Sequence, residues 1–338
     1  MVERTDVAII GAGPVGLFAV FECGMLGMRC HVFDALDRAG GQCAALYPEK
    51  PIYDIPGYPA ISAADLIDRL HEQAAPFSPA FHLGHAVERV APLPAGGFRV
   101  ETAESAVEAG AVIVAAGVGA FGPNRPPLAG IESFEGKSVF YLVTRREDFR
   151  DKRVVIAGGG DSAVDWALSL AEVAQILLVH RRPKFCAAPE SATRLQRLAE
   201  TGKIEMVIPY QLHGLEGEGG ALAAVVVADL EGRTRRLEAD ILLPFFGLSQ
   251  NLGPIAQWGL ALDRHLVSVE PATCMSSARG IFAIGDIATY PGKLKLILSG
   301  FSEAALAAHA IHPLLHPGEA LHFEYSTTKG VPGRGAPG

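Results

Sequence analysis

Apolar residues fall in short unbroken runs separated by stretches with helical spacing. VAIIG (7–11) precedes a helical pattern from Pro14 and then RCHVFDA (29–35); later, VVIAG (154–158) precedes a helical pattern through Trp166 and Leu170 and then ILLVHRR (176–182). Runs with no polar face, alternating with helices, predict parallel strands joined by crossover helices and an α/β fold. One strand–turn–helix unit occurs twice, as VAIIGAGPVGLFAV (7–20) and VVIAGGGDSAVDW (154–166).

Glycine and proline punctuate the chain in AAGVGAFGPNRPPLAG (115–130) and in GLSQNLGP (247–254), the latter after the apolar run ILLPFF. The second unit lies between these breaks, which predicts a domain over 118–248 inserted into one built from 1–117 and 249–338. Two linkers predict a hinge. The tail FEYSTTKGVPGRGAPG (323–338) is polar and rich in glycine and proline, the composition of a mobile end.

Composition narrows the function. With 338 residues, 49% hydrophobic and 20% charged, the chain has apolar surface for two cores. A formal charge of −8 argues against nonspecific nucleic-acid binding as the main activity, since a phosphate backbone demands a basic face, though it leaves room for a local basic patch. No apolar run is long enough to span a bilayer, and the first strand starts too early to leave room for a signal peptide, so a soluble cytoplasmic protein is expected. Five widely spaced cysteines, with no CxxC, fit reduced thiols.

Gly11, Gly13 and Gly16 form G-x-G-x-x-G directly after a strand. The first glycine permits a tight turn, the second lets backbone approach a pyrophosphate, and the third lets helix pack on strand, while the helix N-terminus offers unpaired N–H groups to phosphate. Such a turn alone is common. Here the next strand ends at Asp34, 23 residues after Gly11, where an acidic group meets a ribose hydroxyl; its plainer role is to close the strand. AVIVAAG (111–117) predicts another buried strand, and GIFAIGDIA (280–288) sets Asp286 where a strand ends and a helix would start, as ligand or as N-cap. Over nearly its whole length the chain resembles the two-dinucleotide flavoproteins, which implies that Asp286 holds the ribityl or pyrophosphate part of FAD.

The second turn is Gly158, Gly160 and Ala163, and the same 23-residue count ends on Arg181 rather than on an acid. Two adjacent guanidiniums, Arg181 and Arg182, suit a 2′-phosphate that a carboxylate would repel, so NADPH is preferred over NADH. Read alone, His180, Arg181 and Arg182 are a solvated basic turn. Ser162 starts the helix and is placed to reach a phosphate. One cradle for FAD and one for NADPH would pass a hydride from nicotinamide to flavin.

GGGDSA, HRR and the inserted layout resemble the thioredoxin reductase group. Members that reduce disulfides carry CxxC before GGGDSA, but GKSVFYLVTRREDFRDKR here has no cysteine. The CxxxxC of the glutathione-reductase type is missing as well, because GGQCAALYP pairs Cys43 with Pro48. GGQCAALYPEKPIYDIPG, GGGDSAVDWAL, HRRPKFCAAPES, GDIATYPGKLKLILSGFSEAA and YSTTKG together resemble the thioredoxin-reductase-like ferredoxin-NADP(+) reductases; only 85–110 carries no family signal.

That resemblance implies two Rossmann-like, three-layer ββα domains and an FAD-containing homodimer, with hydride transfer to flavin and then single-electron transfer to ferredoxin. It implies flavin contacts for Gln42, Tyr47, Val87 and Phe121, with Tyr47 stacked on one ring face. It puts Tyr325 of the tail over the other face, with Thr327 beside it, as a gate for nicotinamide. Docking an acidic ferredoxin asks for a basic face, with Lys293, Lys295, Arg145, Arg146 and Lys329 as candidates. Alternatives left open are an NAD(P)H oxidase, a quinone or flavodoxin reductase, a disulfide reductase, and a non-catalytic redox sensor that binds both nucleotides.

Overall fold

The computed structural model describes residues 2–187, 189–319 and 330–331, with the side chains of 120–123, 189 and 248–250 outside that description. The chain forms two compact units, Met1–Phe121 with Gln250–Gly338, and Gly122–Ser249. The connecting segments Ala120–Pro123 and Leu248–Asn251 run as two paired strands.

The first unit is organised by a parallel sheet in the order Ala80–Leu83, Cys30–Asp34, Glu3–Ile10, Ala106–Val114. Ala106–Val114 is long enough to take two neighbours on its far side. Its first half pairs antiparallel with Phe98–Thr102, and its second half pairs parallel with Ile281–Ala283. The stretch without a family signal thus supplies most of a meander, Val87–Pro92, Phe98–Thr102 and Ala106–Val114, that continues the sheet beyond its parallel part.

Alternation along the central strands explains why both faces are covered. Val7, Ile9, Ala111 and Ile113 pack toward the helices Pro14–Met25 and Ile297–Leu315, where Ala304, Ala307 and Ala308 keep the layers close. Ala8, Ile10, Val112 and Val114 face the opposite way, against Val100, Leu260 and Val267. Fully burying each such Val, Ile or Leu is worth about 1.5–3 kcal/mol. Helix Ala63–Ala74 starts where Ser62 accepts the Asp65 N–H at 3.0 Å, a local N-cap that the sequence S-A-A-D encodes.

The second unit repeats the plan at smaller size. Its parallel sheet runs Ile204–Val207, Gln175–Val179, Arg153–Ala157, Ile241–Pro244, and helix Asp161–Leu170 crosses over from the third of these. An antiparallel sheet of Gln211–Glu218, Ala221–Ala228 and Thr234–Glu238 supplies the apposed layer, and Val225, Val227 and Leu237 meet Val155, Leu177 and Val179 in the core.

The helix expected to start at Asp286 is corrected. Ile281–Ala283 gives way to one 3-10 turn, Gly285–Ile287, and a second short strand, Ala288–Thr289, while the helix begins at Ile297. The reason is a buried carboxylate downstream. Glu303 accepts the Gly285 N–H at 2.7 Å and the Tyr290 hydroxyl at 2.8 Å, and it pairs with Lys293. Burial, then the bond to Glu303, pushes the Tyr290 phenol up to about 12. Lys293 is also corrected as a docking residue: its side chain is 5% exposed, and its charge is spent on Glu303, itself 2% exposed. Arg146 pairs with Glu172 at 2.7 Å, Arg145 is exposed, and Lys329 lies outside the described residues.

No helix among the described residues is long and apolar enough to cross a membrane. The Glu303 network yields a test of this packing. Glu303→Ala strands a buried ammonium and is expected to cost about 3–5 kcal/mol, whereas replacing Glu303 and Lys293 together by Leu and Met should cost much less. Urea unfolding of the two variants measures the difference.

Candidate functional site

At the carboxyl ends of Glu3–Ile10 and Cys30–Asp34 a cavity of about 440 Å³ opens in the first unit, where an α/β sheet ordinarily takes its ligand. Gly11, Gly13, Asp34, Gln42, Tyr47, Val87 and Asp286 all line it. Residues that lie far apart in the sequence therefore share one wall.

The three glycines divide the work as their spacing predicts. Gly11 holds φ +113°, and a Cβ there would stand 2.3 Å from the Ala115 carbonyl oxygen. Gly16 does not line the cavity; a Cβ on it would stand 1.9 Å from the Gly11 carbonyl oxygen, so it packs the helix onto the turn. Gly13, with φ −71° and nothing within 4 Å of its absent Cβ, opens directly to the cavity. Pro14 then starts the helix at the position where a missing N–H is harmless.

Asp34 stands beside this turn. Its Oδ2 accepts the Ala12 N–H at 2.7 Å and its Oδ1 the Leu36 N–H at 2.9 Å. Burial raises its pKa, and the two N–H bonds pull against that shift. Each oxygen keeps a further lone pair for a donor such as a diol hydroxyl.

Gln42 and Cys43 come from the short helix Gly41–Leu46, and Tyr47 caps it. The Cys43 thiol donates to the Tyr47 oxygen at 3.8 Å. Burial pushes the Tyr47 phenol well up, with Cys43 and Asp286 adding to the shift, so the ring is neutral and its O–H remains a donor. Burial also raises Cys43, against the bond to Tyr47, which makes it a poor thiolate. Val87 is buried at the head of Val87–Pro92. An open glycine at a helix N-terminus, two carboxylates, and apolar walls including Phe33 and Trp258 fit a dinucleotide bearing a flat aromatic ring.

Several lining residues had no part in the expected flavin site. Lys295, Leu296 and Ile297 enter at the approach to the last helix, bringing a cation to a cavity that also carries Asp34 and Asp286. They lie in the segment GDIATYPGKLKLILSGFSEAA, where the sequence offers Lys295 only as a docking candidate. His85 and Trp258 join from the meander and from beyond the second linker, and the Trp258 Nε1–H donates to the Glu88 carbonyl at 3.3 Å. The Phe121 side chain, Tyr325 and Thr327 lie outside the described residues.

The second unit repeats the glycine arrangement. A Cβ on Gly158 would meet the Phe245 oxygen at 2.6 Å and the Ala163 Cβ at 2.9 Å, while one on Gly160 would meet nothing within 4 Å. Ser162 is exposed in the first turn of Asp161–Leu170. His180 lies over the turn: a Cβ on Gly159 would fall 2.1 Å from its ring, which stacks on Phe185 at 5.0 Å. Burial lowers its pKa, and the neighbouring arginines lower it further. Exposed Arg181 and Arg182 line a pocket of about 260 Å³ with Tyr210, Gln211 and Leu230, whose one acidic member, Asp229, is taken by Arg233 at 2.6 Å.

The pyridine nucleotide-disulphide oxidoreductase family model matches residues 5–311. The chain is 66% identical over 332 residues to a ferredoxin–NADP reductase of Paramagnetospirillum magneticum, covering 98% of both chains. It is 63% identical over 335 residues to the ferredoxin–NADP reductase of Rhodospirillum rubrum, covering 98% of this chain and 97% of that relative. Among solved structures the fold is similar to the thioredoxin reductase of T. acidophilum, with a TM-score of 0.78 at 24% identity over 92% of this chain and 98% of that one. Lactococcus lactis thioredoxin reductase gives 0.78 at 22% identity over 92% and 99%.

Two predictions follow from this geometry. Gly13→Val should fold, with unchanged far-ultraviolet circular dichroism, and lose yellow colour; Gly16→Ala should fail to accumulate as folded protein, because its Cβ collides with backbone. Asp34 has a raised folded pKa, so its stabilising contribution is complete below the ordinary carboxylate value of about 3.9 and is lost as pH rises through the folded value. Flavin-free wild type should accordingly lose stability relative to Asp34→Asn as pH climbs above about 4, read by urea unfolding.

Proposed function

The chain belongs to the pyridine nucleotide-disulphide oxidoreductase family, and we propose that it is a ferredoxin–NADP reductase that moves electrons between NADPH and ferredoxin without a disulfide relay. The observation that carries this reading is one chamber joining Gly13, Asp34, Tyr47 and Asp286, in a chain with no thiol pair at either dithiol position. Relatives at 66% and 63% identity over nearly the whole chain support it.

The cofactor of the first chamber is FAD. When bound, it supplies an acceptor for a hydride and a donor of single electrons. The residues bind and orient it: the Gly13 turn and helix N-terminus take the pyrophosphate, Asp34 the adenosine ribose, Asp286 the ribityl or pyrophosphate region, and Tyr47 with Gln42 and Val87 the ring system. Burial of the Tyr47 ring keeps water from one face.

In the second unit Gly160 gives backbone access to the NADPH pyrophosphate and Ser162 is within the same first turn. Arg181 and Arg182 grip the 2′-phosphate, and His180 holds the glycine turn beneath them rather than contacting phosphate. No acid or base is asked of any side chain. Ferredoxin approaches exposed basic groups, with Arg145 and Lys295 now the candidates. The chain works in the cytoplasm as a homodimer in which Tyr325 and Thr327 of one protomer cover the flavin of its partner; the aromatic and hydroxyl cluster YSTT supports this.

Anaerobic titration of the purified yellow protein with NADPH and then oxidised ferredoxin tests the reading. Bleaching by NADPH and recovery on adding ferredoxin are expected, at a turnover of about one per second or more. Efficient turnover with oxygen or quinone but none with ferredoxin would favour the oxidase or quinone reductase. Arg181→Ala and Arg182→Ala should each lower kcat/KM for NADPH by roughly tenfold or more, since a hydrogen bond to a charged group is worth about 1.5–3 kcal/mol, and leave NADH unaffected.

A further inference from the structure

At one edge of the first unit's sheet, three adjacent strands bring together side chains that the proposed electron transfer does not use. Glu3 opens the strand Glu3–Ile10, His31 lies on Cys30–Asp34, and His82 lies on Ala80–Leu83. His31 Nδ1 is 2.9 Å from His82 Nε2 and 3.8 Å from a carboxylate oxygen of Glu3. One ligand atom from each residue lies within 4.8 Å of the others.

We propose that Glu3, His31 and His82 bind one divalent transition-metal ion of the Zn²⁺ type, with water completing the coordination. Two imidazole nitrogens and one carboxylate are a zinc donor set, and an open fourth position is normal for a three-ligand site. The present spacing is a shared proton away from that geometry. Two Zn–N bonds of about 2.0–2.1 Å at a tetrahedral angle set the nitrogens about 3.3 Å apart, so a cation replacing the proton asks the nitrogens to part by about 0.4 Å and the exposed Glu3 carboxylate to close in from 3.8 Å.

The surroundings suit such an ion. Glu3 is exposed, which gives the ion an entry path from solvent, while the two imidazoles are half-buried and held in place. His82 stacks on the fully buried Phe33 at 4.5 Å, with 8° between the ring planes. Phe33 directly precedes Asp34, so the ion would fasten three strands at the base of the nucleotide cradle. A second imidazole and carboxylate pair, His85 and Glu104 at 3.1 Å, lies beside it, with the His85 and His82 rings 6.2 Å apart. The alternative for the cluster is a plain hydrogen bond between neutral rings, with no affinity for metal.

The test uses the full-length, flavin-loaded protein, freed of any affinity tag and stripped by a chelator. Equilibrium dialysis against Zn²⁺, with metal quantified by mass spectrometry, should show one more zinc per chain on wild type than on His82→Gln. Any zinc on exposed Cys186 is common to both and subtracts out. Zinc should raise the midpoint of thermal unfolding of wild type by a few degrees and leave His82→Gln unmoved, because a ligand that binds only the folded state stabilises it. Glu3→Gln, an exposed substitution that keeps the apo midpoint, should weaken zinc binding at least about tenfold, since even groups that merely orient a ligand are worth about 10–100-fold. Flavin content confirms folding, and should His82→Gln not fold, Glu3→Gln carries the comparison. Equal zinc on wild type and Glu3→Gln, or a stabilisation by Mg²⁺ as large as that by Zn²⁺, would overturn the proposal.

Discussion

A helix can aim its unpaired N–H groups at a ligand only if nothing stands between its first turn and the sheet that carries it. In this chain that condition rests on a 1.9 Å clearance, the space between the place of an absent Gly16 Cβ and the Gly11 carbonyl oxygen. With that contact made, Gly13 faces open space, Pro14 starts the helix, and Asp34 comes within 2.7 Å of the Ala12 N–H. Every other cavity residue is arranged around this junction. The second unit solves the same problem with Ala163 against Gly158, a slightly looser contact that admits one methyl group.

Two carboxylates, half-buried Asp34 and buried Glu303, are handled differently. Asp34 is left short of partners, with two backbone donors and a pKa raised by burial, which is how a carboxylate looks when its remaining partner comes from a ligand. Glu303 is satisfied three ways, by a backbone N–H, a phenol and an ammonium, and its task is to hold the Gly285–Ile287 turn so that Asp286 faces the chamber. One acid is poised and the other is structural. Their partners mark the difference.

The cysteines bear on the route that electrons take. All five are free, and the one lining the flavin chamber, Cys43, has its thiol directed to Tyr47 and its pKa raised. A thiol in that state forms the reactive thiolate less readily than an ordinary cysteine. The thioredoxin reductase fold is thus kept, while the chemistry that gives those enzymes their name has no residues here to perform it.

Much of this was legible in the chain itself, because the features concerned are local. Glycine spacing, a strand-ending acid, an arginine pair in place of that acid and the missing CxxC all act within a turn or one βαβ unit, where sequence distance and spatial distance coincide. The identity of the partners across the sheet was not legible. Lys293 and Lys295 sit two positions apart in one loop, and nothing in their order shows that the first is spent on Glu303 while the second reaches the cavity. Nor does the order H-R-R show that the His180 ring fills the space above Gly159. Glu3, His31 and His82 share no motif, and they meet only because two crossovers bring residues from three parallel strands to one edge. Local backbone chemistry is written in sequence order, whereas burial, charge pairing and convergence belong to the packing of elements that the order does not adjoin.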